Sequence, residues 1–183
     1  MSGAVTAAQT FGLRSHATTS NAAIEAVSVT IQRVSPQQLQ LTYRASGDVT
    51  QLRIPATCNA ERRDALWRHT CAEFFIGERG KSGYYEFNFS PSSCWAAYEF
   101  SDYRQAMRNA EVAAPSIQVM QTEQRLQLQV MLTLPAAVAA ADVLQASLTM
   151  VIEDHAGQYS YWAVSHAVAK PDFHCRDSFV INL

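Results

Sequence analysis

Residues 66–76 and 83–91 constrain this chain more than any other part of it. In the first stretch Ala72, Phe74 and Ile76 alternate with Cys71, Glu73 and Phe75; in the second Tyr85, Phe87 and Phe89 alternate with Tyr84, Glu86 and Asn88. A period of two residues is that of an extended strand, whose successive side chains point to opposite faces. A turn at residues 79–82 closes the pair into a hairpin, aligns the two apolar rows on one face and sets Glu73 across from Asn88. Slipping the register by one residue would bury Glu73 against Phe87, so the pattern selects its own pairing. The chain is therefore built on a sheet with one apolar face and a second face carrying acids, an amide and aromatics.

The rest of the sequence repeats the strand signal. Val27, Val29 and Ile31 alternate with Ser28, Thr30 and Gln32, and Leu39, Leu41 and Tyr43 begin a second strand after a turn at residues 35–37. A short strand through Leu52 and Ile54 is expected to end at Pro55. Residues 95–100 read as another strand, and residues 117–119 as one more. The clearest alternation is Leu126, Leu128, Val130, Leu132 and Leu134, which Pro135 stops before an Ala-rich stretch with room for one short helix. Leu148, Met150 and Ile152 form a strand that a turn at residues 154–157 folds back onto residues 159–166, and Phe179, Ile181 and Leu183 alternate at the tail. Ten or eleven short strands with little helix predict an all-β, antiparallel immunoglobulin-like β-sandwich, jelly-roll-like in outline. Residues 1–20, polar and rich in Ala, Ser and Thr, read as a flexible or partly ordered lead-in, and residues 21–183 as one domain.

Composition narrows the function. Fourteen basic and sixteen acidic residues leave a net charge of −2 without any block of one sign, which speaks against nucleic acid and anionic membranes as partners. No apolar run approaches the ~20 residues of a membrane helix. The first residues have neither a basic nor a sustained apolar segment of a secretory leader, so a cytoplasmic location is expected. Cys58, Cys71, Cys94 and Cys175 lack paired zinc or redox spacing and are read as intact thiols. No GxSxG, HExxH or phosphate-cradling glycine loop is present, so no catalytic residue is assigned and an enzyme is not the favoured reading.

Trp67, Ala72, Glu73 and Phe75, followed by Tyr85, Phe87, Asn88, Ser90 and Pro91, resemble the signature of the family-nine carbohydrate-binding modules and the related DOMON domains. With His69, Thr70, Cys71, Phe89, Trp95, Tyr98, Tyr103, Arg104, residues 160–163 and residues 171–174, the similarity extends to bacterial DOMON-like proteins over about residues 39–183. The resemblance implies a sandwich with a ligand site on a concave face or edge, Trp67 as a stacking residue and Glu73 as a hydroxyl partner. Trp162 is the candidate second stacking residue from its late position. His69 and Thr70 stand where the family carries two acids, a departure that bears on sugar binding and on any calcium those acids would hold.

The residues themselves support such chemistry. Sugar recognition takes flat aromatic faces for the C–H side of a ring and planar polar groups for hydroxyls that donate and accept. Trp67, Glu73, Glu86, Asn88 and Trp162 are the ligand-binding candidates, against the alternative that both tryptophans are core. A buried Glu73 requires a partner, for which Arg104 is the candidate. His69, Arg104, His166, Asp172 and His174 are secondary candidates, with Asp172 and His174 read as groups that fix a loop. No metal or cofactor is expected; the alternatives are zinc, calcium, or a haem held through His166 and His174. The expected partner is a small carbohydrate-like ligand. Two other readings remain: a protein-interaction scaffold whose aromatics are all core, and glycoside hydrolysis by Glu73 with Glu86.

Overall fold

In the computed structural model, which describes residues 7–19 and 21–183, the chain is an antiparallel β-sandwich of twelve strands with one short helix. The first sheet runs β1 (Gln9–Ser15), β2 (Ile24–Ser35), β3 (Gln38–Gly47), β9 (Arg125–Thr133), β8 (Ser116–Thr122). The second runs β7 (Arg108–Asn109), β6 (Trp95–Phe100), β5 (Tyr84–Phe89), β4 (Cys71–Glu78), β10 (Leu144–Glu153), β11 (Tyr159–Ala163). β1 belongs to both: Gln9 to Leu13 pair with β2, then Arg14 and Ser15 pair with β11. The last strand, β12 (Ile181–Asn182), takes the part of β10 that β11 leaves free. Helix α1 is Ala136–Ala139, and no helix among the described residues is long and apolar enough to cross a membrane.

The alternating rows meet as expected of two packed sheets. Val27, Val29, Ile31, Leu41, Tyr43, Leu126, Leu128 and Val130 from the first sheet pack against Phe74, Ile76, Phe87, Phe89, Leu148 and Met150 from the second. The hairpin register is the one that burial selects, with Glu73 opposite Asn88 and Phe74 opposite Phe87. The Tyr43 hydroxyl crosses between the sheets to donate to the Glu73 carbonyl (2.8 Å), inside the core.

The second sheet is covered on its outer face as well. Residues 171–179 cross it as a strap: Phe173 packs on Phe75 and Tyr161, and Phe179 on Phe75 and Tyr84. Arg176 ties the strap down by donating to the carbonyls of Glu78 and Lys81. Gly77 makes room for this, since a Cβ there would stand 2.5 Å from the Arg176 guanidinium and 2.8 Å from the Gly83 carbonyl. Consequently every residue of β4 from Cys71 to Gly77 is buried.

Three local expectations need correction. A strand, β1, lies inside the stretch read as a lead-in, with residues 1–6 and 20 outside the described residues; only Phe11 and Leu13 of it are large apolar residues turned to the core. The strand expected at Leu52 and Ile54 is a single bridge from Leu52 to Asp154, because the Asp48 carboxylate accepts from the Thr50 N–H and starts a 3-10 turn at Val49–Gln51. Phe179 and Ile181 do not share a face: a 3-10 turn at Arg176–Ser178 carries the chain over the sheet edge, so Phe179 joins the outer cluster and Ile181 the core.

Tyr43→Phe is expected to cost about 1–3 kcal/mol, because it strips a buried hydrogen bond while keeping the ring. Urea unfolding should show a lower midpoint at unchanged slope; an unchanged midpoint would mean that the bond contributes nothing to joining the sheets.

Candidate functional site

Strand parity decides what reaches the outer face of the second sheet. β4 supplies Glu73 and Phe75, β5 supplies Tyr84, Glu86 and Asn88, β10 supplies Val151 and β11 supplies Tyr161. The strap covers only part of this face. Between it, the loop at residues 101–107 and the 3-10 turn Leu66–Arg68 lies a hollow of about 420 Å³. Glu73 and Glu86 lie at its base; Trp67, Phe100, Tyr161 and Phe173 form apolar walls, and Arg104 and Met107 stand at the side of the loop.

Trp67 is 38% exposed and rests edge-on against Tyr98, at 5.9 Å between ring centroids, while the Tyr98 hydroxyl donates to Asp64. The wall is thus a presented aromatic face with its back supported. Three of the four non-glycine residues with positive φ among the described residues flank the hollow: Ala65 before Trp67, and Arg104 and Ala106 in the loop. Such backbone costs of the order of 1–3 kcal/mol each and tends to persist where a site requires it.

The base is acidic and largely buried. Glu73 is 3% exposed, and its Oε1 has no hydrogen-bond partner. Burial, followed by the neighbouring Glu86, raises its carboxyl well above the ordinary range, which makes the neutral acid the cheaper form to bury. Glu86 is pushed up to about 7, chiefly by burial, although the Asn88 amide donates to its Oε1 (2.8 Å). Arg104 is not the partner expected for Glu73: it pairs with Asp172 (2.9 Å), whose other oxygen accepts from the Tyr103 hydroxyl (2.6 Å). A neutral carboxyl explains how Glu73 tolerates the absence of a partner.

His174 lies among Phe75, Tyr84 and Phe100, and this burial drops its imidazole to about 4. Its Nδ1 accepts from the Tyr84 hydroxyl (2.7 Å), which in turn accepts from the Arg104 N–H. Its Nε2 faces Glu86 Oε2 at 3.6 Å; with a neutral ring this is a contact, not an ion pair. Asp172 accepts from the His174 N–H and so shapes the strap.

Of the residues singled out from the sequence, Trp67, Glu73, Glu86, Arg104 and His174 line one hollow, with Asp172 beside Arg104. Asn88 is sealed beneath it and acts on Glu86. Trp162 lies elsewhere, a correction that follows from parity: it sits opposite Met150, is 6% exposed in the core, and donates its indole N–H to Ser160. His69 pairs with Glu153 away from the hollow, and His166 Nε2–H donates to the Arg14 carbonyl. Among the described residues no three His, Cys, Asp or Glu side chains converge as a metal would require. Tyr161, Phe100 and Phe173 are wall residues that the sequence reading did not assign. Tyr161 was within reach: with Leu148, Met150 and Ile152 facing inward, folding the hairpin at residues 154–157 puts Trp162 inside and Tyr161 outside.

No family model matches this chain, and no curated protein matches it. Among solved structures, a candidate carbohydrate-binding protein from Bacteroides uniformis ATCC 8492 aligns with a TM-score of 0.63 at 12% identity, over 94% of this chain and 84% of that one. The two share a fold. A family 9 carbohydrate-binding module from Caldicellulosiruptor kristjanssonii, solved with cellotriose and with glucose, aligns with TM-scores of 0.49 and 0.45 at 7% identity. Those alignments cover 85% and 83% of this chain, and 72% and 74% of the module.

The two tryptophans should separate cleanly. Trp162→Ala is expected to cost about 3–5 kcal/mol as a core truncation, and Trp67→Ala well under half of that. Chemical denaturation of both variants checks this, and equal losses would contradict the placement of Trp67 as a half-exposed wall. The acid at the base predicts a pH dependence. With Glu86 held near 7 in the fold and near the usual ~4.3 when unfolded, the folded protein takes the proton first, so this group's contribution falls as pH rises through that window. His174 works in the opposite sense, since its depressed value costs stability as pH falls from ~6.5 toward about 4. Comparing Glu86→Gln with the parent isolates the carboxyl above about pH 6.5, where His174 is largely uncharged folded or unfolded: the variant's relative stability should grow from there to about pH 8. A flat difference would mean that Glu86 ionises freely.

Proposed function

We propose that this chain is a non-catalytic saccharide-binding domain of the DOMON-like kind, with the hollow between Trp67, Arg104 and the strap as its ligand site. The observation that carries this reading is the pairing of a presented, back-supported aromatic wall at Trp67 with a buried, partly unpartnered carboxyl at Glu73. A sugar ring offers a C–H face to the first and hydroxyls to the second, and a carboxyl that retains its proton both donates and accepts. The volume of about 420 Å³ lies within the ~300–1,000 Å³ usual for small-molecule sites. The Bacteroides protein that shares the fold is described as a candidate carbohydrate-binding protein, which agrees with this reading.

Binding is favoured over hydrolysis because both acids lie together at the base of the hollow and both are pushed toward the neutral form. A glycosidase needs one carboxylate to remain ionised and to face an acid across the scissile bond. A scaffold with a wholly structural aromatic core would have no use for the unpartnered Glu73.

The test is a thermal-shift and calorimetric screen of neutral hexoses, disaccharides and longer glycans. A true ligand at 100 times its dissociation constant should add about 2.7 kcal/mol of stability, and Trp67→Ala should abolish that gain while remaining folded. If no glycan stabilises the protein, or Trp67→Ala binds as well as the parent, the proposal fails.

A further inference from the structure

The charge around the hollow is unbalanced. Glu73, Glu86 and Asp172 bring three carboxyl groups, against one fixed cation, Arg104, whose guanidinium is engaged by Asp172. The other titratable groups around the acid pair include Tyr43, Tyr84, Tyr98, Tyr161, Cys71 and His174, none of them a cation near neutral pH. Glu73 lines the hollow with its carboxyl, one oxygen of which, Oε1, is buried without a hydrogen-bond partner. Aromatic faces at Trp67, Phe100, Tyr161 and Phe173 surround the pair, and such faces favour cations.

From this arrangement we infer that the hollow prefers a cationic amino sugar, whose ammonium sits against the Glu73 carboxyl while the ring lies against Trp67. The inference rests on the proposed function for the ring and adds the charge. An ammonium brought to Glu73 favours the ionised carboxylate there, so binding releases a proton that the empty site holds by desolvation. A neutral sugar gains no such charge-assisted bond.

The probes are D-glucosamine, D-glucose and trans-2-aminocyclohexanol, a cationic ring that is not a sugar. Each is titrated calorimetrically near neutral pH in buffers of different ionisation heat. Glucosamine is expected to bind roughly tenfold or more tightly than glucose, with net proton release, and Glu73→Gln should bring that ratio close to one. Equal affinities for glucosamine and glucose would overturn the charge preference and leave the saccharide reading standing. Binding of both amines with no response to glucose or to any neutral glycan would keep the cation site and sink the saccharide reading. No binding by any of the three overturns the inference.

An independent observation carries a second proposal. Residues 58–63 run alongside residues 92–95, held by Cys58 N–H to the Ser92 carbonyl and by reciprocal bonds between Arg63, Trp95 and Glu61. This brings the half-buried Cys58 and the buried Cys94 to 2.7 Å between sulfurs, closer than two thiols rest in ordinary contact. We propose that the pair is a disulfide site, closed by a low-molecular-weight disulfide. The Cys58 thiolate, the more accessible, attacks one sulfur of the reagent and expels the first small thiolate. Cys94 then attacks Cys58 in the mixed disulfide and expels the second, two protons being lost in all. The closed loop contains Trp67, Glu73 and Glu86.

Treatment of the folded protein with oxidised glutathione should lower the free thiol count from four to two. Peptide mapping should find Cys58 joined to Cys94, and the thermal midpoint should rise in the parent and not in Cys58→Ser. A bridge involving Cys175, a stable mixed disulfide at Cys58, or four thiols remaining would each overturn the proposal.

Discussion

The double coverage of β4 is the constraint on which the rest depends. A sheet in a sandwich ordinarily keeps one face in water, and its outward residues are then free to be charged. Here the strap, anchored through Arg176 and seated over Gly77, covers the second face as well, so Glu73 and Glu86 lose their solvent without gaining a salt bridge. What would be two surface acids on a bare sheet become two desolvated carboxyls at the base of a hollow. Their raised proton affinity is a consequence of topology, since the strap arrives from the far end of the chain.

The same covering makes the walls. Phe173 and Phe179 anchor the strap on Phe75, Tyr84 and Tyr161, and where the strap stops the aromatic surface continues as the lining of the hollow. Opposite, the loop at residues 101–107 is held to the strap by one ion pair and one tyrosine hydrogen bond, both on Asp172. Positive φ at Arg104 and Ala106 supplies the backbone path that turns Arg104 toward Asp172. The partner expected for Glu73 is thereby withdrawn from it, and its Oε1 is left without a hydrogen bond.

How far these features were legible in the residues depends on how far apart in sequence their causes lie. Glu73 opposite Asn88 was readable because a tight turn and one apolar row decide it locally. The placement of Trp162 required parity to be carried through a hairpin, and position in the chain alone pointed to the wrong residue. β1 was hidden because only Phe11 and Leu13 of it are large and apolar, too few to carry a period-two signal.

By itself the sequence determined the architecture: period-two alternation leaves a chain of this length few ways to bury its apolar rows except between antiparallel sheets, and it names the register of the central hairpin. It also determined which face carries the acids. Only the tertiary structure decided that the acids on this face are buried, that Arg104 pairs with Asp172 instead of Glu73, and that Tyr161 and not Trp162 reaches the hollow. The reason is that desolvation and ion pairing depend on what lies across a few ångströms of space, and here the groups that lie there come from segments up to a hundred residues apart.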